Sequence, residues 1–139
     1  MARRHAYGAE FIEFIKTTQQ AYESRRLEDY LASFAPEYCT VQLHTGFHEN
    51  LDELCAKIAA DIEKYELISM DFTILDHWFT GETAYAHMSY LTRLKHKESR
   101  RVLIDERENL IVANHLGAGG WAIVAKITLS ADNYFESER

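Results

Sequence analysis

Between Phe11 and Glu23 the apolar residues Phe11, Ile12, Phe14, Ile15, Ala21 and Tyr22 recur near helical spacing around polar Glu13, Lys16 and Gln20. That pattern predicts an amphipathic helix. A break at Ser24 to Arg26 separates it from a short second helix over Leu27 to Phe34, where Leu27, Tyr30, Leu31 and Phe34 share a face and Pro36 sets the limit. Cys39 to Leu43 then reads as a strand, turning at Thr45-Gly46 and returning through Phe47-His48. Asn50 is a good N-cap with Glu53 as its capping-box partner, so a third helix is expected to carry Leu51, Leu54, Cys55, Ile58 and Ile62 as a stripe and to end near Glu66.

Beyond that point the period changes from 3.6 to 2. Strands are predicted over Ser69 to Phe79, Thr83 to Lys95, Arg101 to Asn114 and Trp121 to Leu129, separated by Thr80-Gly81-Glu82, Lys97-Glu98-Ser99 and Gly117-Ala118-Gly119-Gly120. Separators this short make hairpins. Helices followed by an antiparallel meander exclude a parallel doubly wound sheet and give an α+β fold, with three N-terminal helices packed on a curved, mainly antiparallel sheet. Glu136 to Arg139 reads as a frayed tail.

Composition sharpens this picture. The chain has 139 residues, 47% hydrophobic with a single proline, which suits one core-forming domain over residues 1–139. Fifteen basic against 22 acidic residues leave a net charge of −7, so no nucleic-acid partner is expected. The basic run Arg93, Lys95, Lys97, Arg100, Arg101 reads as a solvated hairpin tip. Cys39 and Cys55 match neither a disulfide framework nor a zinc spacing. No stretch has the roughly 18 apolar residues of a membrane span, and the basic start is interrupted by Glu10, Glu13 and Lys16 before any signal-like apolar run. The expectation is a cytoplasmic protein without membrane association.

Three segments carry a family resemblance: Leu27-Glu28-Asp29-Tyr30-Leu31-Ala32-Ser33-Phe34-Ala35-Pro36-Glu37-Tyr38, Gly81-Glu82-Thr83-Ala84-Tyr85-Ala86 and Gly120-Trp121-Ala122-Ile123-Val124. With the order of elements, they make the chain resemble the NTF2-like superfamily, which includes SnoaL-like cyclases, ketosteroid isomerase and scytalone dehydratase. The resemblance implies a cystatin-like cone that holds a small apolar or aromatic molecule, and a homodimer formed through the outer sheet face. Laid against the ketosteroid isomerase pattern, the general-base aspartate falls near Leu43 and the helix-one tyrosine near Gln19. Glu106 or Glu108 falls opposite the remaining acid.

Strand parity nominates the site. One face of Thr83 to Lys95 carries Tyr85, His87, Ser89, Leu91 and Arg93, and the resemblance points this set into the cavity. On the next strand Glu106 and Glu108 share a face, and a carboxylate beside His87 would fix its tautomer and raise its basicity. A His87–Glu108 pair is therefore expected, with Tyr85, His87, Ser89, Glu106 and Trp78 as ligand contacts. A slip of one residue exchanges the faces and makes Asp105, Arg107 and Asn109 the pocket residues.

Three functions follow. The first is a small-molecule-binding protein. The second is a SnoaL-like lyase or isomerase in which His87, assisted by Glu106 or Glu108, abstracts a proton while Tyr85 donates to the oxyanion. The third is a protein-interaction module acting through the outer sheet face. No cofactor is expected, since no glycine-rich phosphate loop or nucleophile elbow is present. No metal is expected either, because His44 and His48 lack a third ligand at a recognisable spacing.

Overall fold

The computed structural model describes residues 2–117 and 120–136, with side chains from residue 8 onward. Three helices, α1 (Ala2–Glu23), α2 (Leu27–Leu31) and α3 (Leu51–Lys64), accompany six strands. The strands are β1 (Phe34–Gln42), β2 (His48–Asn50), β3 (Tyr65–Thr80), β4 (Thr83–His96), β5 (Val102–His115) and β6 (Trp121–Phe135). They form one sheet in the order β2-β1-β6-β5-β4-β3, antiparallel except between β1 and β6. The segment from β2 through α3 to β3 carries the chain from one edge of the sheet to the other. The expected α+β arrangement of helices on one mainly antiparallel sheet is therefore present.

Two boundaries differ from expectation. Helix α1 begins at Ala2, well before Phe11. Helix α2 stops at Leu31 and the next residues are taken into the sheet: the Ile123 amide donates to the Ser33 carbonyl at 2.8 Å, and Phe34 pairs with Ile123. Pro36 is tolerated within β1 because the β1–β6 register shifts between Phe34 and Cys39, so no ladder bond is asked of it. The strand ends also run longer than predicted, β3 starting at Tyr65 and β6 reaching Phe135. In the expected β5–β6 turn, Ala118 and Gly119 lie outside the described residues, as do residues 137–139 of the expected tail. Glu136, at the start of that tail, accepts from Arg93 Nη2 at 2.9 and 3.0 Å.

The cap of α3 forms as the sequence predicts. Asn50 Oδ1 accepts from the Glu53 amide and Glu53 Oε1 accepts from the Asn50 amide, each at 2.9 Å. At the end of α1, Arg25 has φ +59° and ends the helix in the left-handed region. Gly81 supplies φ +62° in the β3–β4 turn, where a side chain would be strained.

Further register shifts in β3–β4 and β5–β6 bend and coil the sheet. Helices cover only its inner face. Phe11 and Ile15 of α1, with Leu54 and Ile58 of α3, pack on Ala84, Ala86, Met88, Ile111, Ala113 and Ile123. At one end this layer is dry and aromatic, with the Phe11 ring 5.2 Å from Trp121 and 5.9 Å from Phe79. At the other end it becomes polar, and there a cavity opens. No helix among the described residues is long and apolar enough to cross a membrane.

Candidate functional site

Strand parity is the point where the structure departs from the sequence reading. On β4 the buried residues are Ala84, Ala86, Met88, Tyr90 and Thr92, and the set Tyr85, His87, Ser89, Leu91 and Arg93 faces away from the helices. The physical reason is steric. A helix can approach the sheet closely only over small residues, and Ala84 and Ala86, paired with Ala113 and Ile111, form that shallow strip beneath α1. The expected ligand contacts Tyr85, His87, Ser89, Glu106 and Trp78 therefore do not line the cavity under the helices.

On the outer face the structure nonetheless brings His87 and Glu108 together, with Nε2 2.8 Å from Oε1. A carboxylate only accepts, so Nε2 carries the proton in this contact. Tyr85 is not aimed at the pair; its ring stacks on Trp78 at 5.4 Å and 9°. The register lays out cross-strand rows on this face: Trp78-Tyr85-Val112-Ala125, Asp76-His87-Leu110-Ile127, Thr73-Ser89-Glu108-Ser130 and Asp71-Leu91-Glu106-Asp132. It grades from apolar to acidic. An open groove of about 480 Å³ runs over the acidic rows. His87 and Glu108 keep 32% and 43% of their side chains exposed, so this dyad lacks the water exclusion that strengthens acid–base chemistry.

The inner cavity, about 130 Å³, is half open and lies between the helices and the sheet. Its floor is Tyr90, Thr92, Arg107, Asn109 and Lys126 from the sheet, its walls Gln19 and Tyr22 of α1 and Tyr30 of α2, and its roof Leu54, Ile58 and Asp61 of α3. Arg107 is tied to Asp105, Nη2 to Oδ2 at 2.8 Å. The Lys126 ammonium donates to the Tyr30 hydroxyl at 2.7 Å and lies 5.4 Å from the Tyr30 and Phe34 ring centres. Gln19 Nε2 donates to the Tyr90 hydroxyl at 3.3 Å, which in turn donates to Met88 Sδ at 3.4 Å. Asn109 is 5% exposed and its Oδ1 has no partner.

Burial sets the electrostatics. It raises the Tyr90 and Tyr30 phenols above the ordinary tyrosine value, with a second contribution at Tyr30 from Tyr22 and at Tyr90 from Tyr30, so both stay protonated donors. Asp61 is likewise raised by burial, opposed by Lys57, Lys64 and Arg25. Of the site residues now in view, Tyr90 and Thr92 on β4 and Asp105, Arg107 and Asn109 on β5 belong to the alternative parity, whereas Asp61 and Lys126 lie outside either expected set. A signal for Lys126 existed: it is the lone charge in the apolar run Trp121 to Leu129.

Among the described residues no cluster of three or more His, Cys, Asp or Glu could hold a metal. Cys39 and Cys55 are free thiols.

No protein-family model matches the chain, and no curated protein matches it in sequence. Solved structures do. A conserved protein from Planctomyces limnophilus superposes with TM-score 0.83 at 10% identity, over 94% of this chain and 100% of its own. An NTF2-like protein from Cytophaga hutchinsonii gives 0.70 at 13%, over 86% and 94%. The chain has the NTF2-like fold. A ketosteroid isomerase-like protein from Erwinia carotovora atroseptica, TM-score 0.73 at 13% identity over 87% and 93%, shares it. The NTF2-like cone accounts for the bent sheet with helices on its concave side. At these identities the likeness is one of fold.

Proposed function

We propose that this protein binds a small molecule in the pocket between its helices and the concave face of the sheet. One observation carries the reading: groups from α1, α2, α3, β3, β4, β5 and β6 converge on one half-open cavity lined by both apolar and polar side chains. Its volume of about 130 Å³ is comparable with the roughly 150 Å³ cavity that takes up benzene. A single ring or a short branched chain is therefore the size class. Tyr90, Gln19, Arg107 and Lys126 would fix its orientation while Tyr22, Leu54, Ile58 and Met70 cover its apolar part.

A fragment screen by thermal shift tests this. A ligand at about 100 times its Kd adds roughly 2.7 kcal/mol, worth several degrees of Tm in a domain of this size. Met70→Trp, which fills the cavity from β3, is expected to remove those shifts. Hits that survive it, or a screen of single-ring compounds with no hits, would count against the pocket.

A second reading, favoured by the apolar rows Trp78-Tyr85-Val112-Ala125 and Leu110-Ile127, of which Trp78 is exposed and the rest are half-buried, is that a second copy of the chain covers this end of the outer face. On that reading His87 and Glu108 serve association. The lyase or isomerase alternative based on them would need a covering layer of this kind to exclude water.

A further inference from the structure

Resting on the proposal that the inner pocket binds a small molecule, we infer that its ligand is a small organic acid with one carboxylate and, across an apolar body, a hydroxyl or amino donor. The carboxylate seats on Lys126 and the donor on Asn109 Oδ1.

The chain as a whole is anionic, at −7, yet the cavity is lined by three cations, Lys57, Arg107 and Lys126, and two acids, Asp61 and Asp105. Two of the cations have carboxylates of their own. Arg107 is held by Asp105 at 2.8 Å, and Lys57 lies 3.7 Å from Glu49. Among the described residues no carboxylate lies within ion-pair distance of Lys126, whose ammonium meets one phenol oxygen and two ring faces. An ammonium has three donors. Tyr30 takes one, so a partly buried cation at the cavity floor keeps donors for an anion. Desolvated charges of this kind are stabilised chiefly by a bound counter-charge.

The second element is independent. The Asn109 side chain hydrogen-bonds Tyr90 in the sense that lowers the phenol, so its amide nitrogen donates there, and Oδ1 is left a buried acceptor without a donor in a residue 5% exposed that lines the same cavity. Orphaned acceptors are uncommon in folded proteins and cost stability unless something supplies the missing proton. Asn109 pairs with Thr128, two residues along β6 from Lys126, so it and Lys126 are diagonal neighbours on the inner face. Diagonal neighbours have Cα atoms about 7–8 Å apart, and the Lys126 side chain runs from there to the Tyr30 hydroxyl, so the two groups stand apart on one cavity floor. The Tyr22 and Tyr30 rings, 5.1 Å apart, offer the apolar wall.

The test is a calorimetric titration of the intact protein with benzoate, benzamide, 4-hydroxybenzoate and 4-aminobenzoate. Benzoate is expected to bind at least about tenfold more tightly than neutral benzamide, the ratio of one charge-assisted hydrogen bond, and the para donors are expected to tighten it further. In Lys126→Met the benzoate-to-benzamide ratio should fall to about one while Lys126→Arg keeps it, and in Asn109→Leu the para-donor gain should vanish. Should Lys126→Met fail to fold, the ratio in the wild-type protein still decides. Benzamide binding as well as benzoate would overturn the acid inference and leave the pocket reading standing. If none of the four binds while other single-ring fragments shift Tm and are blocked by Met70→Trp, the acid inference alone falls. If no fragment of any kind binds, both fall.

Discussion

Strand β4 presents two surfaces that differ in kind. Toward the helices it shows Ala84, Ala86 and Met88, each 0% exposed, and then Tyr90 and Thr92 at 7%. Toward the other side it shows Tyr85, His87, Ser89 and Arg93 half-covered and Leu91 exposed. The inner surface is built for close approach: small residues where α1 crosses, larger and polar ones where the helices stand off and leave a cavity. The outer surface is built from side chains that meet mainly each other, such as the Trp78–Tyr85 stack and the His87–Glu108 contact. A residue's alternation class therefore says that it has a face, and the bulk of its neighbours says which layer that face meets.

The largest test of this difference sets Ile111 against Leu110, adjacent on β5 and opposite in direction. Ile111 is 0% exposed beneath the helices, so Ile111→Ala is expected to cost about 2–5 kcal/mol in chemical denaturation. Leu110, in the outer row with His87 and Ile127, is half-buried, and Leu110→Ala should cost less than about half as much in dilute protein. Equal costs independent of concentration would erase the distinction between the faces. A Leu110→Ala cost that grows with protein concentration, together with a concentration-dependent mass in sedimentation, would sharpen it by showing that a second copy covers the outer rows.

The same contrast explains what could be read from the sequence. The Asn50–Glu53 capping box, the α3 stripe and the antiparallel meander follow from local chemistry, since each signal lies within a few residues of its effect. The end of α2 did not, because the Ser33 carbonyl is taken by Ile123, ninety residues away in sequence, and nothing near Ser33 announces that partner. His87 and Glu108 could be placed together from strand register, which is insensitive to which side is which. The choice of side required knowing that α1 lies on the Ala84–Ala86 strip. The cavity residues come from seven separate elements, and their convergence is a property of the packed layers that no single segment encodes.

The outer dyad supplies a smaller test. With both partners exposed by about a third or more, a double-mutant cycle over His87→Ala and Glu108→Ala should give a coupling of about 0–1 kcal/mol, reduced by added salt. A coupling well above that range, insensitive to salt, would mean that the face is covered and the pair desolvated in solution. It would restore His87 as a candidate for chemistry.

The smallest effect concerns Asp61, at the roof of the inner cavity. Burial raises its carboxyl above the ordinary aspartate value, against the pull of Lys57, Lys64 and Arg25. The folded state thus holds this proton more tightly than the unfolded chain does. Its stabilising contribution is fully present below the unfolded value and is lost as pH rises through the raised folded one. Asparagine cannot ionise, so Asp61→Asn should match the parent in Tm below about pH 4 and exceed it modestly near neutrality. The reverse, a variant less stable than the parent at pH 7, would mean that the three cations outweigh burial at Asp61. The roof of the cavity would then hold a stabilised anion facing Lys126 across the space assigned to the ligand.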